Sequence, residues 1–249
     1  MHRKIVFHII SHLDVGGAER VAINIAESPT EGIAYHVVEL IRAHSDFTDV
    51  LIKELRDHNI TYHRGWIPEI HFHYLFERLA ALTFPLWFLW LFLKYKPQVL
   101  HSHTEMPDLS IYCFFRLFPW ALKRCKIVRT IHNTRLWTGM QRTGRRIETF
   151  FIRQNANIAI SEAVKSNYQA HYHDSPPIIY NGVSISNPEN YFKIENADED
   201  RPISVLIFDE MGLKVYENNY YGKNGEVFRG YSNLKTISNK PLAGTYFYI

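Results

Sequence analysis

The 249-residue sequence has only two cysteines, Cys113 and Cys125, and no long uninterrupted apolar run. Two cysteines form one bridge at most, which excludes a disulfide-stapled secreted scaffold and suits reduced cytosolic thiols. The longest apolar stretch, Leu79 to Leu93, contains Pro85 and falls short of the roughly 18–20 residues that cross a bilayer. The first apolar run stops at Ser11, so we expect no signal peptide.

Composition is otherwise ordinary, since 46% of the residues are apolar, 21% are charged and the formal net charge is +3. These values exclude collagen-like, coiled-coil and disordered chains. The length allows one large domain or two small ones.

Short β-branched runs alternate with longer segments of helical period over most of the chain. The predicted strands are 5–10, 37–41, 60–63, 99–103, 127–131, 157–160 and 178–180. The predicted helices are 18–27, 48–58, 74–94, 108–118, 139–154 and 161–170. This order predicts an α/β fold, a doubly wound parallel-sheet Rossmann-like domain with helices on both faces.

The composition changes after Asn181-Gly182, which suggests a domain at 1–185 and an acidic linker at 186–200. In the remaining segment, 201–249, Ile203, Val205 and Ile207 occupy alternate positions before a turn at 210–212. A second strand is predicted from Lys214 to Glu217. Residues 201–249 therefore read as a small antiparallel β unit.

Ligands of a doubly wound sheet bind at the carboxyl ends of its strands. The first strand leads to Gly16-Gly17 and then to a helix whose free N–H groups suit a diphosphate. A glycine pair alone is more typical of a plain turn with a helix cap. Four later strand ends are also polar, at His101-Ser102-His103-Thr104, His132-Asn133-Thr134, Ser161-Glu162 and Asn181-Gly182. This repeated pattern is more specific than any one of its members.

Three His-x-His pairs occur, at His71/His73, His101/His103 and His171/His173. On a strand the two imidazoles of a pair share one face and could bind a metal ion. No cysteine or glutamate accompanies them at a recognisable ligand spacing. We therefore expect hydrogen-bonded or solvent-exposed histidines and no metal site.

Basic residues concentrate between 123 and 153, where Glu148 is the one acid; they are Lys123, Arg124, Lys126, Arg129, Arg135, Arg142, Arg145, Arg146 and Arg153. Such a patch suits nucleotide phosphates or an anionic membrane surface, and a solvated face fits equally well. Nucleic acid is not expected, because aromatic and basic residues do not interleave. The apolar helix 74–93 is a core helix or, through Trp87 and Trp90, one that touches lipid.

Five motifs together resemble the N-terminal domain of family 4 glycosyltransferases over residues 1–185. They are Gly16-Gly17-Ala18-Glu19-Arg20, 97–103 (PQVLHSH), Thr130-Ile131-His132-Asn133, Ala159-Ile160-Ser161-Glu162-Ala163 and 179–183 (IYNGV). The resemblance implies half of a GT-B fold and transfer of a sugar from a nucleotide-sugar donor, with retained configuration and no metal. It implies that His132 is catalytic and that Gly16 and Gly17 bind the donor phosphates. The residues implied at the acceptor side or cleft rim are His101, His103, Asn133, Ser161, Glu162 and Asn181.

The same family holds its donor nucleotide mainly in a second Rossmann-like domain, which we expect to be missing after residue 200. Residues 202–249 instead resemble the C-terminal part of a gliding-motility or type IX secretion sorting domain of Bacteroidetes. The matching segments are 205–217 (VLIFDEMGLKVYE) and 242–249 (LAGTYFYI).

Three hypotheses follow for the function of the chain. The leading one is a cytoplasmic glycosyltransferase, peripheral on the inner membrane face, that acts on a cell-envelope polysaccharide or glycolipid and is weak without its donor half. The second is a non-catalytic module that binds an acceptor, an anionic lipid or a separate donor-domain chain. The third is a secreted surface protein.

Overall fold

The computed structural model describes residues 3–14, 16–28, 30–69, 73–179, 203–208, 214–222, 227–228, 232–234 and 247–248. It divides into two units, residues 1–180 and residues 181–249. The predicted domain boundary at 185 and the linker at 186–200 lie outside the described residues, as does Asn181.

Unit one contains a six-stranded parallel sheet. Its strands are β1 (Lys4–Ile10), β2 (Ile33–Arg42), β3 (Thr61–Pro68), β4 (Val99–Ser102), β5 (Lys126–Ile131) and β6 (Asn157–Ala159). The order β3-β2-β1-β4-β5-β6 is doubly wound and changes direction between β1 and β4. This confirms the predicted α/β Rossmann-like fold. The predicted strand at 178–180 is wrong, because Ile178 makes only an isolated bridge to Ala159.

Helices cover both faces of the sheet. They are α1 (Gly17–Glu27), α2 (Asp46–Asp57), α3 (His73–Tyr95), α4 (Glu105–Leu117), α5 (Gln141–Arg153) and α6 (Glu162–Tyr172), with a 3-10 turn at Pro119–Lys123. Phe7 and Ile9 of β1 pack with α3, α4 and α5, whereas Ile10 packs with α1 and α2. The alternation follows from the two-residue period of a strand. It leaves His8 as the polar member of a buried strand.

Helix α3 runs through Pro85 without a break, so the proline does not end the apolar helix. Phe84 and Phe88 are fully buried, while Leu86 and Trp90 are about 60% exposed. One side of α3 is therefore a core face and includes Trp87, which is 7% exposed. The other side is exposed, and its contact with lipid stays a prediction. Among the helices that the structure describes, none is long and apolar enough to cross a membrane.

Unit two contains a small antiparallel sheet. Its strands are β7 (Val205–Phe208), β8 (Lys214–Asn218) and β9 (Phe247–Tyr248), in the order β8-β7-β9. Val205, Ile207 and Val215 are buried together with Tyr216 and Phe228. The predicted pairing of an alternating strand with a second strand from Lys214 is confirmed.

Candidate active site

A small cavity opens at the carboxyl ends of β4 and β5. It is lined by His103, Thr104, Glu105, Asp108, Arg129, Thr130, Ile131, His132, Asn133 and Leu136. Three of these, His103, His132 and Asn133, are residues that the sequence placed in the site. The position agrees with the expectation that polar strand ends of a doubly wound sheet converge on a ligand.

His132 follows β5 directly and has a buried Nε2 with no hydrogen-bond partner among the described residues. Its ring centroid lies 5.8 Å from that of His103. Burial lowers the pKa of His132 to about 4, so the imidazole is neutral at pH 7. A neutral imidazole with a free nitrogen can bond a sugar hydroxyl, but it is a weak base.

His101 and His103 lie on the face of the sheet that also carries His8. The His8 Nδ1 and His103 Nε2 atoms are 3.0 Å apart, and His101 Nε2 lies 2.7 Å from Thr130 Oγ1. Sequence analysis did not assign His8 a role, although it is the polar residue of an otherwise apolar first strand. His103 thus belongs both to the cavity wall and to a cluster of histidines behind it.

Arg129 forms the centre of a buried ion network next to the cavity. Its Nη1 and Nη2 donate to Glu148 at 2.6 and 2.7 Å, and its Nε lies 2.7 Å from Asp108 Oδ2. All three side chains are 1–2% exposed. The prediction that Arg129 belongs to a surface patch is therefore wrong. Its position on β5 between Ile127 and Ile131 puts it on a core face, where the burial of its charge requires these partners.

Further polar groups complete this network. Trp137 Nε1 donates to Glu148 at 2.6 Å, and the Tyr168 hydroxyl donates to the same carboxylate. Ser102 Oγ donates to Asp108 at 2.6 Å. Burial raises the pKa of Asp108 to about 7, against the opposing effect of Arg129. The network ties β5 to α4, α5 and α6, and so fixes two walls of the cavity.

The loop after β1 that contains Gly16 and Gly17, called the glycine loop below, lies at the carboxyl edge of the sheet, as the cavity does. Gly16 caps α1 in an extended conformation, and a Cβ placed on it would lie 2.1 Å from Glu19 Oε2. The Glu19 carboxylate is thus folded over the start of α1, where unpaired N–H groups attract an anion. Burial raises the pKa of Glu19, whereas a hydrogen bond between its carboxylate and its own backbone N–H lowers the pKa.

Two side-chain contacts connect the glycine loop to its surroundings. Buried Glu39 of β2 accepts the backbone N–H of Leu13 at 2.9 Å. Ser11 Oγ lies 2.8 Å from Thr104 Oγ1, which belongs to the cavity wall. The loop after β1 and the loop after β4 are therefore joined through Thr104, which the sequence placed at a polar strand end. Sequence analysis did not identify Glu39.

Ser161 and Glu162 lie at the carboxyl end of β6 and do not line the cavity described here. The Ser161 side chain caps α6 by accepting the Val164 N–H at 3.3 Å, and Glu162 occupies the first turn. A carboxylate there stabilises the helix. Their predicted role at a cleft rim stays a prediction, as does that of exposed Asn133.

A profile described as Glycosyltransferase Family 4 matches residues 15–187. The chain belongs to glycosyltransferase family 4. A second profile, the CHU_C type IX secretion signal domain, matches residues 178–249 and includes the segment for which we predicted that resemblance. No curated protein matches the chain significantly in sequence.

Solved structures show the fold of the family 4 domain. A glycosyltransferase from Rickettsia africae ESF-5 has a TM-score of 0.53 and 16% identity, over 77% of this chain and 47% of its own. HepE from Anabaena, solved with UDP and glucose, has a TM-score of 0.48 and 20% identity, over 74% and 46%. The lipopolysaccharide outer core galactosyltransferase WaaB has a TM-score of 0.46 and 18% identity, over 80% of this chain and 50% of its own. The chain spans about half the length of these proteins.

Proposed function

We propose that the family 4 domain is the acceptor-side half of a retaining glycosyltransferase that builds a cell-envelope polysaccharide or glycolipid. The observation that carries the proposal is the cavity at the ends of β4 and β5, where His132 Nε2 has no hydrogen-bond partner within the described part of the chain. Family membership makes a nucleotide-sugar the expected donor.

In this proposal His132 bonds the transferred sugar and stabilises the reaction centre as a neutral group. An oxocarbenium-like centre and a departing diphosphate need preorganised hydrogen bonds more than a strong base. The start of α1 at Gly16 and Gly17 binds the diphosphate in the position that the Glu19 carboxylate now occupies. No metal ion is required for the transfer. We assign His103 and Asn133, which line the cavity, to the acceptor side, and Ser161 and Glu162 to the rim. His101 is in the cluster behind the cavity wall, and Asn181 lies outside the described residues.

The described residues contain one Rossmann-like sheet, so a second, donor-binding half is part of the proposal. A separate donor-domain chain would supply it. We accordingly expect the 249-residue polypeptide by itself to bind nucleotide-sugars weakly and to transfer sugar slowly or not at all.

Calorimetric titration with UDP, GDP and their sugar conjugates tests the site. We expect a sugar conjugate to bind with a dissociation constant of about 1 mM. Binding should be lost in His132→Ala and in Gly16→Trp, which blocks the helix start. Gly16 has extended backbone, and the first atoms that an added side chain meets belong to the Glu19 side chain; circular dichroism checks that Gly16→Trp is folded. His171→Ala, on the exposed end of α6, is the matched control. Binding that both site variants retain would refute the proposal, as would no binding to folded protein.

A second candidate function, a module that holds an anionic membrane or a lipid-linked acceptor, is favoured by the exposed face of α3. Five large apolar side chains 42–65% exposed recur at helical spacing there: Leu79, Leu82, Leu86, Trp90 and Leu93. The Lys94 ammonium lies 4.6 Å over the Trp90 ring. Such a face with flanking cations suits the surface of an anionic bilayer.

Vesicle flotation tests this membrane surface. We expect the wild-type chain to float with vesicles that contain about a third anionic lipid and to float less as salt rises. Leu86→Glu with Trp90→Glu should abolish flotation. Val50→Glu, at an apolar residue 59% exposed on α2, is the control for added charge. Equal flotation of the double variant and the wild type would exclude α3 as the contact.

The location that we propose is the cytoplasm, at the inner face of the membrane. Cys113 and Cys125 are both free thiols, as is usual in a reducing compartment. The match to a type IX secretion signal domain favours the alternative of an exported protein. Cell fractionation distinguishes the two, because the intact chain found only outside the cell would reject the cytoplasmic location.

A further inference from the structure

Three histidines from two neighbouring strands meet on one face of the sheet. His8 of β1 is in register with His101 of β4, and His103 follows two residues later on the same face. One ring nitrogen of each lies within 4.8 Å of the others. His8 and His103 are fully buried, so the cluster is inside the domain and not at its surface.

Hydrogen bonding inside the domain leaves this cluster incompletely satisfied. His8 Nδ1 and His103 Nε2 are 3.0 Å apart and share one hydrogen. The remaining nitrogens, His8 Nε2 and His103 Nδ1, are buried without a hydrogen-bond partner among the described residues. Buried polar atoms normally have partners, and those that lack one point to a bound water or ion.

The geometry and ionisation of the cluster both suit a transition metal. Tetrahedral zinc with Zn–N bonds of 2.0–2.1 Å holds its ligand nitrogens about 3.4 Å apart, which lies between the separations found here. Desolvation lowers the pKa of His8 to about 3 and holds those of His101 and His103 well below their usual range. All three rings are therefore neutral at pH 7, the form that binds a metal.

We propose that His8, His101 and His103 bind one divalent transition-metal ion of the zinc type, which links β1 to β4. Three imidazole ligands leave a fourth position for water. His103 also lines the cavity, which gives the ion and this water a path to the cluster. This proposal departs from the sequence-based expectation of no metal site. That expectation rested on the lack of a third ligand near the His101/His103 pair in the sequence, and the fold supplies His8 of β1 as that ligand. The ion takes no part in the proposed sugar transfer, although it would bind His103, which that proposal assigns to the acceptor side.

Metal titration of metal-free protein tests this proposal. The chain is purified without a histidine tag and titrated with Co²⁺, followed by its visible absorption, and with Zn²⁺ by calorimetry. We expect one equivalent of Co²⁺ to give the absorption bands of a tetrahedral nitrogen site, Zn²⁺ to displace it, and Zn²⁺ to raise the melting temperature. Wild-type protein without such bands would overturn the proposal, whatever the variants do.

Variants then locate the ion. His8→Gln and His101→Gln should each weaken Co²⁺ binding by more than about 100-fold. Two ligand variants are used because one of them could fail to fold, which circular dichroism would reveal. His171→Ala removes an exposed histidine of another His-x-His pair and should bind like wild type. Binding that is lost in His171→Ala and retained in a folded ligand variant would assign the ion elsewhere and contradict the proposal.

Discussion

Arg129→Met will lower the free energy of unfolding of the family 4 domain by about 3–5 kcal/mol at pH 7, the usual cost of breaking a buried ion pair. The guanidinium is 1% exposed and contacts Glu148 and Asp108 within 2.7 Å. Its removal leaves two buried carboxylates without their cation. The loss should shrink as the pH falls, because protonation of the carboxylates removes the unpaired charge.

Unfolding by denaturant, followed by tryptophan fluorescence, measures the stability of the unit formed by residues 1–180. All five tryptophans, Trp66, Trp87, Trp90, Trp120 and Trp137, lie in residues 1–180. Arg145→Met, at an exposed arginine of α5, is the matched control and should change stability by less than about 0.5 kcal/mol. A loss below about 1 kcal/mol in Arg129→Met would show that the network does not hold the domain together.

The second large effect is acid unfolding that begins near pH 6.5. Burial lowers the pKa of His8 to about 3 and that of His36 and His132 to about 4, and it holds the values of His101 and His103 well below normal. Unfolding restores a value near 6.5, so below that pH the unfolded chain binds more protons. The stability from neutral histidines is present above pH 6.5 and is lost as the pH falls toward the folded pKa values.

The expected size follows from about 1.4 kcal/mol per pH unit for each such histidine. His8 alone therefore loses about 2 kcal/mol between pH 6.5 and 4.5, and the lowered pKa values of His101 and His103 act in the same direction. Asp108 acts in the opposite direction. Its pKa is raised to about 7, so its proton adds stability as the pH falls from 7 toward its unfolded value near 4. One carboxyl offsets only part of the histidine effect.

Unfolding midpoints in guanidinium at several values between pH 7.5 and 4.5 measure this dependence. His8→Gln should make the slope shallower by about one proton, and His171→Ala should leave it unchanged. A midpoint that stays constant from pH 7 to 5 would contradict the neutral, buried state of these histidines.

Much of the fold could be predicted because periodicity is a local property. The alternation of apolar strands with helical segments predicted all six strands of the sheet and their flanking helices. Ile178 pairs with Ala159 of β6 through an isolated parallel bridge, and this single bridge is too short to count as a further strand of the sheet. Pro85 did not end α3, because packing of Phe84 and Phe88 in the core outweighs the local penalty of proline.

The sequence singles out the polar residues at the strand ends, but not the buried residues that lie behind the cavity. Of the polar residues that the sequence singles out after β4 and β5, His103, His132 and Asn133 line a common cavity, and their roles stay predictions. Arg129 was grouped with its basic neighbours in sequence, although its alternation with Ile127 and Ile131 is a signal of burial. Partners such as Asp108 and His8 lie far away in sequence, so only the folded sheet brings them to the site.

The measurement that tests the central claim most directly is NMR mapping of a nucleotide-sugar on the deuterated 249-residue chain. We expect UDP-glucose or another sugar conjugate at millimolar concentration to shift the amide signals of Gly16, Gly17, Thr104, His132 and Asn133. These residues surround the glycine loop and the cavity at the carboxyl ends of β1, β4 and β5. Shifts confined to other surfaces, or none with any nucleotide-sugar, would contradict the assignment of this edge as half of a transferase site.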